Sequence, residues 1–518
     1  MSHHWDDEVD VVVVGSGGAA LTGAYVAASA GLDTVVLEST DKLGGTTAYS
    51  GAGLWLPASE PEYRAGVEDS VELARTYYRE TVGDRTPASL QEAYLTAAAD
   101  LVAHLEKDPV LQFEWRPFPD YYSERPGGLS QGRNIFPLDL PQEELGDLLD
   151  RIRPPAPDDR LGINTRRPVL TGGQALIGRF LMALRATGKA DVRVSSPFES
   201  FVLDEGAVVG VEAGGSAGGR RIRARNGVLL AAGGFERDPK MRAEHQSEFG
   251  LDGSWSMGGP GSVGRPIRAG IEIGAAVDLM DECWWSPAIL LPDGSASFTL
   301  GFRAGIIVDG SGRRYANESL PYDRFGREMR AWQRTTGASG QPGPIPSYLI
   351  WDDRAGADLP AISTIIPKPP RCVEAGVWKQ ADTLDELADQ IGVGREALQE
   401  TVADWNAAAA AGRDDRFRRG ENAYDRFFCH GPGPNPCLVP IAQPPFHAAS
   451  IVLGDLGTKG GLVTDERARV LRPDRSVISG LYAAGNTMAS VSGECYPGPG
   501  TPIGTGMVFA YLAALDMA

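Results

Sequence analysis

Val11-Val12-Val13-Val14-Gly15-Ser16-Gly17-Gly18-Ala19-Ala20 is the most informative run in the chain. Four consecutive valines suit a strand buried on both faces, as in a parallel sheet covered by helices. Gly15 permits a tight turn, Gly17 lets backbone approach a pyrophosphate, and Ala20 takes the third, small position where a helix packs on the strand. The phosphates then meet the helix N-terminus, where unpaired N–H groups and the dipole favour negative charge. The next apolar run, Thr34-Val35-Val36-Leu37, ends at Glu38, whose carboxylate is placed to accept from a ribose hydroxyl and repels a 2′-phosphate. Strand, turn, small-residue helix, second strand and terminal acid in that order read as a dinucleotide site in an α/β fold. No second run of this kind occurs, so the bound dinucleotide itself is expected to do the chemistry.

The same pattern is echoed further on. Asp41 to Gly53 is too rich in glycine and hydroxyls for a packed element, and such a backbone can press against a flat ligand. Gly227 to Gly234 reads as a buried strand ending in glycines, and Gly480 to Asn486 repeats that reading near the C-terminus. Pro502-Ile503-Gly504-Thr505-Gly506-Met507 then opens a final helix, with Pro502 at its first position. A chain that returns to close the same site suits a long-resident cofactor, which favours FAD over NAD. The N-terminus of the final helix is placed to face the flavin's pyrimidine edge, where negative charge develops on reduction.

The 518 residues carry 68 acidic against 49 basic side chains, a formal net charge of −19. That balance argues against a phosphate-tracking groove for nucleic acid and against an anionic membrane surface. The five cysteines form no CxxC pair, so reduced thiols in a cytoplasm are expected. No run approaches the ~20 apolar residues of a membrane span, and the opening residues are acidic where a secretory signal is basic. Histidines and cysteines show no ligand spacing, so no metal is expected.

Between these landmarks, helices are expected over Val67 to Thr81 and over Pro87 to Lys107, the latter with Thr86 as N-cap and Pro87 at the first position. Gln142 to Ile152 and Ala175 to Thr187 also look helical, and Phe198 to Leu203 and Ala207 to Glu212 look like strands. Phe113 to Gly132, aromatic and proline-rich, reads either as a lid or cavity wall or as the packing of a long loop. From about Ala288 to Pro445 composition shifts toward loops, with a hairpin over Gly305 to Tyr315, a capping box at Thr383-Leu384-Asp385-Glu386 and a helix from Arg395 to Ala410. An inserted second domain is therefore placed at 286–446, dividing a dinucleotide-binding domain into 1–285 and 447–518.

These residues resemble the flavoproteins of the fumarate reductase and succinate dehydrogenase group and, within it, 3-ketosteroid Δ1-dehydrogenase. The broad match covers Val11 to Gly53, Val228 to Gly234 and Leu481 to Met507. The narrower one adds Phe118-Pro119-Asp120-Tyr121, Trp284-Trp285-Ser286-Pro287, Ala316-Asn317-Glu318-Ser319-Leu320-Pro321-Tyr322-Asp323, Gly457-Thr458-Lys459-Gly460-Gly461-Leu462 and Tyr496-Pro497-Gly498-Pro499-Gly500. The histidine and arginine with which fumarate reductases treat a dicarboxylate have no counterpart, and no histidine stands at Thr46-Thr47 for covalent flavin attachment.

The resemblance implies a Rossmann-like FAD-binding domain of GR2 type with an inserted α+β catalytic domain, and non-covalent FAD. It places the cofactor against Gly15, Ser16, Gly17, Gly18, Glu38 and Ser39, and against Gly45, Thr46, Thr47, Ser50 and Gly51. Val202, Ala232, Gly233, Gly485, Asn486, Pro502 and Ile503 complete that set. It further implies a 3-ketosteroid substrate whose carbonyl oxygen is held by the Tyr496 hydroxyl and the Gly500 N–H. Tyr322 then takes the C2 proton, Tyr121 supports Tyr322 by a hydrogen bond, and hydride passes from C1 to the flavin. An external electron acceptor completes the cycle. A free tyrosine, with a pKa of about 10, is ionised only about one part in a thousand at neutral pH, so the base needs such support. The alternatives are the related Δ4-(5α)-dehydrogenase reaction and a non-catalytic flavin-binding protein. A monomer or small oligomer is expected, without nucleic acid or metal.

Overall fold

The structure, a computed structural model, describes residues 4–215, 219–247, 251–339 and 343–518. Strand β1 (Asp7–Val14) carries the valine tetrad, each valine 3% exposed or less. The chain turns at Gly15, with φ of +109°, where a Cβ would fall 2.3 Å from the carbonyl oxygen of Ala231. Helix α1 (Gly18–Ser29) follows, and β2 (Thr34–Leu37) returns parallel to β1. After β3 (Leu54–Trp55) come β4 (Ala190–Arg193), β5 (Arg220–Leu230) and β6 (Val477–Ala483). Among the described residues five strands run parallel in the order β6-β5-β1-β2-β4. Val12 lies between Val228 and Val35 in register, so the tetrad occupies the centre of the sheet and is buried on both faces. Arg469–Leu471 adds an antiparallel edge, and Phe198–Asp204 with Ala207–Ala213 forms an antiparallel arm on β5.

The final helix α2 (Thr501–Met517) packs on α1 through small residues. A Cβ on Gly506 would fall 3.1 Å from that of Ala19 and 2.9 Å from the Cα of Gly485. This close approach explains why α1 is apolar nearly all round: one side faces the sheet and another faces α2.

The fold is α/β, and the chain divides into two compact units. Unit 1 comprises Met1–Gly253, Gly258–Cys283 and Gly457–Ala518; unit 2 comprises Ser254–Met257 and Trp284–Leu456. Unit 2 therefore runs ten residues beyond the 446 boundary set from sequence. The reason is the long strand Phe446–Thr458, which pairs antiparallel with both Ser347–Asp352 and Trp378–Ala381. Among the described residues this sheet has seven strands. Leu384–Ile391 and Arg395–Ala411 cover it, burying Leu387, Leu398, Val402 and Trp405 against Ile306, Val308 and Ile350.

Several elements differ locally from the sequence reading. The helix expected from Val67 begins at Val71, because Ser70 caps it by accepting from the Leu73 N–H at 3.1 Å. Pro87, in extended backbone, is itself the N-cap of Ala88–Leu105, while Thr86 donates to the Val491 carbonyl at 2.8 Å. Gln142 to Ile152 forms two 3₁₀ segments, Gln142–Glu144 and Gly146–Arg151, with Gly146 at φ +55° breaking a continuous helix. Pro502 stands second in α2, which starts at Thr501. Ile306–Val308 returns from its turn by a single bridge, Val308 to Arg314.

Candidate active site

Glu38 is buried at the end of β2, and four donors fix its carboxylate. Ser16 Oγ donates to Oε2 at 2.5 Å, whereas Oε1 accepts from the Thr40 N–H and Oγ1 at 2.8 Å each and from Ser39 Oγ at 3.2 Å. Oε2 thus carries one protein donor among the described residues and retains a lone pair for a hydroxyl. Ser16 accepts in turn from the Gly44 N–H at 2.9 Å, which ties the turn after β1 to the loop after β2. In that loop, Gly45–Tyr49 forms a 3₁₀ turn. Thr47 Oγ1 accepts from the Gly18 N–H at 3.1 Å, and Thr46 Oγ1 from the Gly259 N–H at 2.8 Å.

The remaining cofactor candidates continue this surface. Ser50 Oγ donates to the Thr47 carbonyl at 2.7 Å, and a Cβ on Gly51 would meet no atom within 4 Å. Thr487 Oγ1 joins the ends of β5 and β6 by accepting from the Ala232 N–H at 2.9 Å and donating to the Gly233 carbonyl at 2.8 Å. Gly485 and Asn486 open the 3₁₀ turn Gly485–Thr487. Ile503, next to Pro502 in the first turn of α2, comes within 3.2 Å of where a Gly18 Cβ would lie. Val202 belongs instead to the antiparallel arm, paired with Gly210, and not to the strand ends that carry the others.

A second cluster in unit 1 surrounds Tyr496. Gly500 stands just before α2 at φ +85°, and a Cβ there would fall 1.9 Å from the Gly53 carbonyl oxygen, so the turn lies directly on the chain entering β3. The Gly500 N–H points to the Tyr496 hydroxyl oxygen at 3.4 Å, bringing these two donors to one place. Tyr121 is in ring contact with Tyr496, centroids 5.0 Å apart at 58°, and its N–H donates to the Pro497 carbonyl at 2.9 Å. Lys459 is buried, and its ammonium donates to the carbonyls of Glu494 and Cys495 at 2.6 and 3.0 Å, immediately before Tyr496.

Behind the turn, the Trp55 indole N–H donates to Asp120 Oδ1 at 2.8 Å, and the Leu129 N–H donates to Oδ2 at 3.0 Å. Arg133 lies over the Trp55 and Tyr77 rings, 3.5 Å from Asp120 and 3.4 Å from Asp69. Burial raises the Asp120 carboxyl above its ordinary range against the pull of Arg133. Glu62 is pushed up to about 10, by burial first and then by the neighbouring Asp69 charge. Both Glu62 and Asp69 accept from the Ala58 N–H, at 3.1 and 3.2 Å.

In unit 2, Tyr322 is the first residue of the helix Tyr322–Ser339, 7% exposed, with its ring edge-on to Phe298 at 4.7 Å and 82°. The segment leading to it is held from below. Asn317 donates to Asp425 at 2.9 Å and accepts from the Ser319 N–H at 2.9 Å. Glu318 accepts from Arg314 Nε and Nη2 at 2.7 and 2.8 Å and from Arg419 Nη1 at 3.1 Å, and Arg314 also reaches Asp414 at 2.9 Å. Burial raises the Glu318 carboxyl, but the two guanidinium charges outweigh it and hold it below its ordinary value.

A family model described as FAD binding domain matches residues 10–503. The chain is 40% identical to the 3-oxosteroid 1-dehydrogenase of Rhodococcus opacus, covering 99% of each chain. It is 38% identical to that of Mycobacterium tuberculosis H37Rv, over 99% of this chain and 98% of the relative. The chain belongs to the 3-oxosteroid 1-dehydrogenase family. The crystal structure of the 3-ketosteroid Δ1-dehydrogenase of Sterolibacterium denitrificans, a complex with 1,4-androstadiene-3,17-dione, superposes with a TM-score of 0.90 at 32% identity, covering 99% of each chain.

As a 3-oxosteroid 1-dehydrogenase family member the protein is an FAD-dependent oxidoreductase, and its own residues fit the cofactor. At Gly17 a Cβ would meet nothing nearer than Thr47 Oγ1 at 3.5 Å, and at Gly45 nothing nearer than the Gly17 Cα at 3.9 Å. Both backbones are thus bare and close to each other, as close approach to a pyrophosphate requires. No helix among the described residues is long and apolar enough to cross a membrane. What the sequence reading missed is the scaffold behind Tyr496: Trp55, Arg133 and the ammonium of Lys459. The only signal for them was their presence in, or next to, glycine-rich and aromatic runs quoted for other reasons.

Proposed function

We propose that the protein introduces a C1–C2 double bond into ring A of 3-ketosteroids. The observation that carries this reading is the convergence of the Tyr496 hydroxyl and the Gly500 N–H, 3.4 Å apart on a turn that excludes any Cβ at Gly500. Two preorganised donors at one point suit a ketone oxygen that becomes an enolate, and losing one such donor costs about 10²–10³ in rate. The polarised carbonyl acidifies the C2 hydrogens, and Tyr322 takes one of them as a proton. Tyr121 supports that base. FAD, when bound, supplies the hydride acceptor for the hydrogen leaving C1. Each turnover then delivers two electrons to an external acceptor.

The cradle around Glu38 and Thr47 holds FAD without a covalent bond, since the loop Gly45-Thr46-Thr47 carries no histidine. The start of α2 has no side-chain cap, and the positive end of its dipole favours an anion there. An acidic chain whose cysteines lack CxxC spacing fits a reducing cytoplasm, where we place it.

The test is anaerobic titration of the purified protein with a 3-ketosteroid saturated in ring A. The flavin absorbance is expected to bleach stoichiometrically, with a C1–C2 alkene as product. An unreduced flavin, or a product unsaturated at C4–C5, overturns the assignment.

A further inference from the structure

We propose that Asp120 and Trp55 form a positioning pair that holds the Gly500 N–H beside the Tyr496 hydroxyl, where the ketone oxygen docks. This deepens the proposed function and rests on it for the role of Tyr496 and Gly500.

The turn Pro497–Gly500 has almost no freedom of its own. A Cβ on Gly498 would fall 2.3 Å from Trp55 Cδ1, 2.4 Å from Nε1 and 3.1 Å from Asp120 Oδ1, so the turn lies flat on the edge of the indole. The next support is the chain entering β3, which touches Gly500 and leads directly into Trp55. Any rotation of that indole is therefore transmitted to Gly498 and Gly500. The indole packs against the rings of Tyr77, Tyr78 and Tyr94 and under Arg133, and its hydrogen bond, which fixes the edge that faces the turn, runs from its N–H to Asp120 Oδ1 at 2.8 Å. Asp120 and Trp55 are both 0% exposed, so no water competes for this bond. Asp120 is fixed in turn: its other oxygen accepts from the Leu129 N–H at 3.0 Å and faces Arg133 at 3.5 Å. Its successor Tyr121 donates to the Pro497 carbonyl, gripping the turn from the far side.

Asp120 thus faces three donors: the indole N–H, the Leu129 N–H and the guanidinium. An aspartate satisfies all three with its two oxygens, but an asparagine has only one oxygen and must turn its NH₂ toward a donor. Asp120→Asn keeps shape and volume while setting donor against donor, and Trp55→Phe removes the indole N–H. The readout is the affinity ratio of two non-reacting ligands, a 1,4-dien-3-one steroid and its 3-deoxy counterpart, each titrated against the oxidised holoenzyme by flavin absorbance. A scaffold role moves both affinities together; a positioning role moves only the ketone.

Each single variant is expected to lower the ketone preference about tenfold, the scale of one buried hydrogen bond, with FAD occupancy retained and turnover reduced in parallel. The double variant is expected to lose no more than the worse single one, because both break the same link. Unchanged preference in both singles, equal loss for both ligands, or additive loss in the double variant overturns the inference. If one single variant fails to fold, the other decides. Failure of the underlying reading looks different: the wild-type protein itself then shows no preference for the ketone, or Tyr496→Phe leaves that preference intact.

Discussion

In unit 1, a single guanidinium, Arg133, stands between Asp69 and Asp120 at 3.4 and 3.5 Å, with Glu62 alongside. In unit 2, Glu318 takes hydrogen bonds from both Arg314 and Arg419 at 2.7 to 3.1 Å, and Arg314 also pairs with Asp414 at 2.9 Å. Each network backs one half of the proposed chemistry, the first the Tyr496 turn and the second the segment ending at Tyr322. They differ in how their charges balance, since carboxylates outnumber the guanidinium in the first and the second is evenly paired. A crowd of carboxylates relieves itself by keeping a proton, as Glu62 does with its pKa pushed up to about 10. In the second, burial raises the Glu318 and Asp414 carboxyls, but the guanidiniums, charged at any working pH, outweigh it and hold both below their ordinary values. The carboxylate-rich network is therefore responsive to pH, and the evenly paired one keeps its charges.

Glu318→Gln tests that contrast most severely. It takes from Arg419 its carboxylate partner and leaves Arg314 with Asp414 alone, so a loss of about 3–5 kcal/mol in holoenzyme stability is expected by chemical denaturation. A loss below about 1 kcal/mol would mean that the two networks do not differ in kind. Tyr322→Phe leaves the unit 2 network intact and removes only the proposed base. Flavin reduction should slow by at least about 10² while the steroid still perturbs the flavin spectrum on binding. Retained reduction at the wild-type rate removes Tyr322 from the mechanism. Tyr496→Phe, above the other network, should cost about 10²–10³ in turnover. Undiminished turnover there would leave the unit 1 turn without a catalytic role.

The last effect is the one with the clearest sign. In the folded protein Glu62 keeps its proton up to about pH 10, whereas in the unfolded chain it ionises near its ordinary 4.5. The stability this proton confers is complete below the unfolded value and is lost as pH rises toward the folded one. The slope is as much as about 1.4 kcal/mol per pH unit. Denaturation midpoints measured at about pH 6 and pH 9 should converge in Glu62→Gln relative to wild type. An unchanged difference would show that Glu62 is not the proton-holding group.

The two halves of the site were not equally legible in the sequence. The cradle at Gly15, Gly17 and Glu38 could be read because its geometry is local: a strand end, the turn that follows and the next strand end. The parallel sheet was legible for the same reason, through valines buried on both faces. The support beneath Tyr496 depends on Trp55 meeting Asp120 across 65 residues, and no periodicity announces such a meeting. Resemblance pointed to Tyr496, Gly500, Tyr121 and Tyr322, but not to what holds them. Gln142 to Ile152 was misread because its composition suits a helix while Gly146, at φ +55°, interrupts one.

The pairing of β5 with β6 has a consequence for how the protein is made. Val228, Leu229 and Leu230 find their partners Leu481, Tyr482 and Ala483 only after the whole of unit 2 has been synthesised. Until then this apolar strand has an open edge, the kind that recruits other chains. At about 5–20 residues per second the wait lasts tens of seconds on the ribosome. The sheet is sealed only when β6 emerges, and the turn bearing Tyr496 and Gly500 emerges after it. The nascent chain thus carries this open edge throughout the synthesis of unit 2, and the turn at Tyr496 and Gly500 assembles only afterwards.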